Sequence, residues 1–410
     1  ENPYIALFTR IKTSEGKKKN ISYYINPHTG EYLLNPRAFS IPNKSLTYMG
    51  ETLYRLHYFR QLIPSVGIYI SGLVAFFFLF AIVTGVLIHW KNIVTKFHAF
   101  TIKGKWKQIW TNSHTTLGTI ALPFQVIYAV TGALLGLSIL LLTPSAYLLF
   151  DGDRDEIINL VRPENAIKYD ENAAVLKENI NITAIYKEVH AQYPNYEIKR
   201  INVRNRNKVD MSLIFSLDDQ IGVAGNGQII YTFKEGVFTP YTNLGEKTYT
   251  EGAYGVLRKL HYANYGGFFL KIIYFILAMI TCYIIISGIL IWQKARDNKK
   301  YTDKQRRFHH RVTKTYLALC LSMFPAFALI FIANKVIPLS LEGRVGWVQT
   351  IFFSGWLLLT IMGLFWNNYK KINRNYLLIG SILGFCIPIV NGIVTGDWLW
   401  KTFANSQYYV

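Results

Sequence analysis

Arg55-Leu56-His57-Tyr58 leads after a short gap into an apolar run that closes on Thr84-Gly85-Val86-Leu87-Ile88. Lys259-Leu260-His261-Tyr262 leads into a second run that closes on Ser287-Gly288-Ile289-Leu290-Ile291. As helices, both runs are long enough to cross a hydrocarbon layer of about 30 Å. A histidine stands at the same end of each. A duplicated membrane helix with one imidazole at the same level of each copy is what a two-fold haem site requires.

Outward from this repeat, six windows of roughly 20 residues carry almost no charge. They are Val66–Trp90, Leu117–Leu142, Phe268–Trp292, Thr315–Ala333, Trp347–Trp366 and Tyr376–Val394. Hydrophobic residues make up 51% of the 410-residue chain and charged ones only 17%, below the usual soluble share. The expected fold class is a polytopic α-helical membrane protein of about six spans. Its net charge of +20 does not point to nucleic acid, because the basic residues fill short loops between the windows. Lys91, Lys96, Lys103, Lys105 and Lys107 occupy one such loop. Lys294, Arg296, Lys299, Lys300, Lys304, Arg306, Arg307 and Arg311 occupy another, and Lys370, Lys371 and Arg374 a third. Such loops mark the cytoplasmic side. Residues 144–258 hold most of the acidic residues and are expected on the outside, and the signs alternate across every span. Cys282, Cys320 and Cys386 all lie in apolar windows, where they read as small buried residues and not as a Cys₄ iron–sulfur site.

Between the second and third windows lies a segment of ordinary domain size. Ile182–Gln192 reads as an amphipathic helix with Ile182, Ile185, Tyr186 and Val189 on one face. Tyr196–Val203, Val209–Leu217, Ile221–Ala224 and Gln228–Phe233 read as strands, the last two split by Gly225-Asn226-Gly227. A helix on an antiparallel sheet is expected. Near the start, Ile21–Leu34 reads as a hairpin around Asn26-Pro27-His28-Thr29-Gly30. Asn26–Leu34 and Gly225–Tyr231 match as a glycine-bearing turn into a strand, each followed by a polar linker, a Leu-His-Tyr and a membrane helix. The chain begins at Glu1 within a fold-like pattern. By symmetry with the second copy, an additional N-terminal span with its own inner histidine is expected ahead of it.

An imidazole in or at the lip of a span needs a partner and is a functional candidate. Two readings of His57 and His261 stand: axial ligands clamping one haem iron on the outer side, or polar residues at the helix mouths among lipid headgroups. His114 opens the second span from the inside, with Gly118 one helical turn further on the same face, which leaves room for a flat macrocycle or for close helix packing. Its partner is open among His310, the neighbouring His309 and a histidine ahead of residue 1. His309 and His310 stand about 100° apart around a helix, so only one can face the bundle. His89 and His98 read as interfacial, and His28 and His190 carry no assigned role. Lys199, Arg200, Arg204, Arg206 and Lys208 form a basic run on the outer domain, suited to an anionic ferric chelate or to guarding a strand edge. No phosphate-binding glycine loop, zinc-protease or nucleophile-elbow motif occurs.

The Leu-His at a helix mouth, the His-x-x-x-Gly that opens another helix ending Thr-Gly, and the helix-plus-sheet domain between them resemble the PepSY-associated transmembrane family. The resemblance covers His57 to Trp292, and Tyr24–Glu31 looks like the last hairpin of a first PepSY domain. It implies a domain order. Residues 1–48 would end a first PepSY-like domain, 49–143 form a helix pair with a cytoplasmic loop at 91–113, and 144–258 form a periplasmic α+β PepSY-like domain. Residues 259–337 would form a second helix pair with a basic loop at 294–311, and 338–410 an additional pair outside the core resemblance. The family includes bacterial inner-membrane ferric-siderophore reductases, which implies one or two b-type haems with His57, His261 and His114 as ligands. On that reading the chain is a haem-dependent ferric-chelate reductase, taking electrons from a cytoplasmic donor. The alternative is a non-redox accessory protein whose outer domain binds an envelope partner. A transporter is a weaker third, since the spans hold few of the mid-membrane polar sites one needs.

Overall fold

The computed structural model describes residues 5–12, 18–25, 32–33 and 43–404, the last stretch apart from 65, 99, 102, 171, 177–179, 219–226, 235, 245–247, 339–340 and 367. In chain order come strands β1 (Ile5–Lys12), β2 (Lys18–Ile25) and β3 (Tyr32–Leu33) and helices α1 (Asn43–His57), α2 (Gly67–His89), α3 (Ile93–Phe97), α4 (Trp106–Ile120), α5 (Leu122–Gly136), α6 (Ser138–Leu149), α7 (Arg154–Val161) and α8 (Ile182–Gln192). Strands β4 (Glu197–Arg204), β5 (Ser212–Asp218), β6 (Gly227–Lys234) and β7 (Val237–Thr242) follow. Helices α9 (Tyr249–Tyr262), α10 (Gly267–Arg296), α11 (Asp303–Leu321), α12 (Met323–Val336), α13 (Arg344–Leu364), α14 (Tyr369–Thr395) and α15 (Leu399–Ala404) complete the chain. Five helical segments are long and apolar enough to cross a bilayer, or six if the bent pair α4–α5 counts as one span. The chain is a polytopic helical membrane protein carrying a small antiparallel α+β domain. It divides into two compact units, Leu56–Thr313 and the remainder.

Within Leu56–Thr313, the window expected as one span at Leu117–Leu142 is not straight. Helices α4 and α5 meet at 72°, and α6 starts a further helix at Ser138. Pro123 stands in the first turn of α5. Its ring excludes the preceding residues from a continuous helix, so the bend falls at the buried Ala121. Helix α5 crosses α2 with backbones almost touching. A Cβ on Gly72 would lie 2.8 Å from the Gly136 carbonyl carbon, and one on Gly136 would lie 2.6 Å from the Gly72 Cα. Small residues allow this approach, which is how helices gain contact where lipid competes for every apolar surface. Helix α4 packs on α10, and α5 also meets α9.

The sheet of this unit runs β4-β5-β6-β7, antiparallel throughout. Leu213, Phe215 and Leu217 of β5 and Ile229, Tyr231 and Phe233 of β6 share one face, and Val189 of α8 is fully buried against them. Helix α8 keeps the predicted bounds, and Asn181 caps it by accepting from the Ala184 N–H. Ile185 packs on the core, whereas Ile182 and Tyr186, predicted on the same face, are exposed. The expected strand at Ile221–Ala224 lies outside the described residues. Strand β7 carries no strong strand signal because it holds Pro240 and is largely exposed, as suits an edge strand. Lys259 of α9, buried to 0% exposure, pairs with Asp218 at the end of β5 at 3.2 Å, so the domain is tied by charge to the helix that carries His261.

Strands β1, β2 and β3 pair antiparallel in that order. The hairpin predicted over Ile21–Leu34 is present as β2 against β3, and its turn lies outside the described residues, as does His28. Helix α12 packs between α13 and α14. The Ser322 and Thr360 hydroxyls stand 2.9 Å apart, and Gln349 donates to the Thr52 hydroxyl at 2.9 Å. Cys282, Cys320 and Cys386 are not joined in disulfides; Cys320 and Cys386 are half-buried, but Cys282, expected to be buried, is exposed.

Candidate functional site

The two Leu-His copies end alike in backbone as well as sequence. Helix α1 ends at His57, and Phe59, two residues on, adopts φ 58°; α9 ends just past His261, and Ala263, two residues on, adopts φ 53°. A left-handed residue after a helix turns the chain sharply, at a cost when it is not glycine. Each histidine thus stands at an elbow before a span. At the first elbow the turn is so close that a Cβ on Gly67 would lie 2.6 Å from the Phe59 carbonyl. Helix α9 starts with a full capping box between Thr248 and Glu251, which fixes its register up to His261.

The elbows bring the imidazoles together. The His57 and His261 ring centroids lie 6.2 Å apart with planes tilted by 53°. An imidazole nitrogen binds a transition metal at roughly 2.0–2.1 Å, so two rings on opposite sides of one ion stand about 6 Å apart centre to centre. The second ring nitrogen of His261 is also fixed. His261 Nδ1 lies 2.9 Å from Thr131 Oγ1, and that hydroxyl donates to the Ile127 carbonyl at 2.6 Å. With its proton so engaged, the Thr131 oxygen accepts from Nδ1–H and leaves the lone pair on Nε2. The Tyr128 ring lies 5.3 Å from the His261 ring at a tilt of 39°, and Phe124 and Tyr274 pack behind it. Burial pushes the His261 imidazole down to about 4, helped by the neighbouring His57. His57 keeps part of its surface open, yet the atoms packed around it also lower its affinity for a proton. Both rings are therefore neutral at pH 7, the form that binds metals.

His114 is held by the same device at the other end of the bundle. Its Nδ1 lies 3.0 Å from the Ile284 carbonyl and 3.0 Å from Ser287 Oγ of α10. A carbonyl only accepts, so Nδ1 carries the proton and Nε2 is again free. Each ring also faces the glycine after its hydroxyl residue. A Cβ on Gly288 would lie 3.4 Å from His114 Cε1, and one on Gly132 would lie 3.9 Å from His261 Cε1. Thr131-Gly132 and Ser287-Gly288 are thus equivalent histidine seats. The third such pair, Thr84-Gly85, directs its hydroxyl to the Phe80 and Ala81 carbonyls, and Gly85 faces open space. So does Gly118, one turn beyond His114.

Of the other candidates, His309 packs on Trp292 at 5.2 Å and on Tyr301 at 5.3 Å, while His310 stands half-buried beside it. His98 is exposed against Phe97, and His190 is exposed beside Tyr186. The hydroxyl seats were not foreseen as partners of the histidines. Their signal was the Thr-Gly or Ser-Gly that recurs in each of these apolar runs.

The sequence model of the PepSY-associated TM region family matches residues 3–295. That is well over half of the chain, and the chain belongs to this family. No curated protein and no solved structure matches it.

Proposed function

We propose that the chain carries electrons across the membrane through b-type haem, and that His57 and His261 would hold the haem of an outer site. The observation that carries this reading is the 6.2 Å spacing of two neutral imidazoles, one of which has its Nε2 lone pair free by tautomer. The residues fit a haem better than a bare ion. Among the described residues no three His, Cys, Asp or Glu side chains converge. A bare transition-metal ion needs three or four protein ligands, whereas a haem brings its own equatorial nitrogens and needs two axial ones.

When bound, a bis-imidazole haem supplies reversible one-electron transfer without binding substrate at its iron. The chain's own residues do the rest. Thr131 holds the His261 tautomer, and the rings of Phe124, Tyr128 and Tyr274 keep water from its inner side. His114, seated on Ile284 and Ser287, provides one ligand of an inner site, with His310 as a candidate partner. Two sites divide a barrier of about 30 Å into shorter steps. The electron comes from a cytoplasmic one-electron donor, and an iron(III) chelate on the outer side is reduced to iron(II). The setting is the bacterial inner membrane, with residues 144–258 in the periplasm and the basic loops 91–113 and 294–311 inside.

The test is an absorption spectrum of the purified chain in detergent, oxidised and then dithionite-reduced, with haem quantified per chain. Sharp reduced α and β bands with one or two haems per chain are expected. A folded, colourless protein would overturn the proposal and favour the accessory-protein reading.

A further inference from the structure

A cleft of about 840 Å³ opens where the outer sheet meets the start of α10, within the range of small-molecule sites. Ala263 and Asn264 form part of its wall, so it begins two residues from His261. Its cations come from separate elements: Arg162 follows α7, Arg200 lies on β4, Arg258 on α9 and Lys271 on α10. Lys199 also lines it but is engaged by Glu197 at 2.6 Å.

Three carboxylates share the lining, and two of them are committed elsewhere. Glu251 accepts from the Thr248 N–H and hydroxyl in the helix cap, and Asp218 faces the buried Lys259. That leaves Glu164 against Arg162, Arg200, Arg258 and Lys271. Two of the three arginines, Arg162 and Arg258, are held by contacts with tyrosines. Tyr254 accepts a hydrogen bond from Arg162 at 3.2 Å, and Arg258 lies over the rings of Tyr254 and Tyr262 at 5.8 Å and 6.0 Å. Gln228 completes the wall.

We propose that this cleft binds a compact, oxygen-rich anionic ferric chelate, gripped by Arg162, Arg200, Arg258 and Lys271. The identity of the ligand rests on the electron-transfer reading; the anion site itself does not. Planar guanidinium groups suit carboxylate oxygens, and converging cations on four elements favour a multiply charged ligand over a single carboxylate. The basic run read in the sequence as Lys199, Arg200, Arg204, Arg206 and Lys208 divides accordingly, since only its first two members line the cleft.

The test is calorimetric titration of the full chain in nanodiscs of zwitterionic lipid with gallium(III) citrate, a probe that binds as iron(III) citrate does but cannot be reduced at this site. Saturable binding is expected that weakens as salt rises, because these charges are open to screening. Arg200→Gln, Arg258→Gln and Lys271→Gln should each weaken it about tenfold, the size of one charge-assisted hydrogen bond. A neutral gallium trishydroxamate should bind at least ten times more weakly than the citrate complex. Absence of binding, unchanged affinity in all three variants, or equal affinity for the neutral chelate would overturn the proposal. So would loss of citrate binding in nanodiscs containing phosphatidylglycerol, which would assign the cleft to a lipid headgroup. Citrate binding by a protein that holds no haem would support the cleft and sink only the electron-transfer reading.

Discussion

His261 is held by one hydroxyl, and its behaviour follows from that contact. Thr131→Val keeps the shape of the side chain but removes the acceptor for Nδ1–H, so the ring loses the bond that fixes its tautomer. Outer partners of this kind are worth about 10–100-fold in metal affinity. Haem transfer from the reduced variant to an excess of apomyoglobin should therefore be faster, with an unchanged reduced spectrum before transfer. His57→Ala or His261→Ala should abolish the outer low-spin signal altogether, and a full haem complement in either variant would remove the ligand assignment. The protonation of the pair gives a second test, on haem-free protein. His261 is held down to about 4 when folded and returns to about 6.5 when unfolded. The unfolded chain then binds more protons between these values, so the contribution to stability is complete above pH 6.5 and is lost as pH falls toward 4. Thermal melts of the haem-free chain should fall across that window, and less steeply in His261→Gln.

At the scale of elements, the recurring unit is a helix with a histidine at its mouth and a hydroxyl-glycine pair at its far end. Spans related in this way seat each other's histidines when they run antiparallel, which is what α4–α5 and α10 do at His114 and His261. The repeat was legible in the sequence because Leu-His-Tyr and Thr-Gly or Ser-Gly recur at matched spacing. The pairing was not, since it depends on which helices touch, and apolar runs look alike on every face. The bend at Ala121 was hidden for a related reason: hydropathy continues straight through Pro123, and only backbone geometry breaks there. Strand β7 was invisible because Pro240 and its exposed side chains lack a strand pattern. Two glycines separate packing from cofactor room. Gly136→Val drives a side chain into the α2 backbone, where overpacking costs about 1–3 kcal/mol, and should lower the melting temperature in detergent. Gly118→Leu meets open space, so it should leave the melt unchanged and lower the haem content. Unchanged haem in Gly118→Leu would place the inner site elsewhere.

For the whole molecule, the proposed direction of electron flow depends on which face each loop occupies. The proposed orientation follows the charge pattern: loops at 91–113 and 294–311 are dense in Lys and Arg, and residues 144–258 hold most of the acids. The His57–His261 pair lies at the end of the bundle that carries the α+β domain, and His114 sits near the basic loops. If the assignment is inverted, the pair faces the cytoplasm and the cleft beside it cannot meet an extracellular chelate. Cys282, Cys320 and Cys386 keep their thiols out of disulfides, so they must first be replaced by Ser or Ala to give a silent background. In that background Asn172→Cys should react with a membrane-impermeant maleimide in intact spheroplasts. Lys103→Cys and Lys299→Cys should react only after the membrane is opened. The reverse pattern would turn the molecule over and, with it, the proposed path of the electron, whereas labelling of all three in intact spheroplasts would show that neither Leu117–Leu142 nor Phe268–Trp292 crosses.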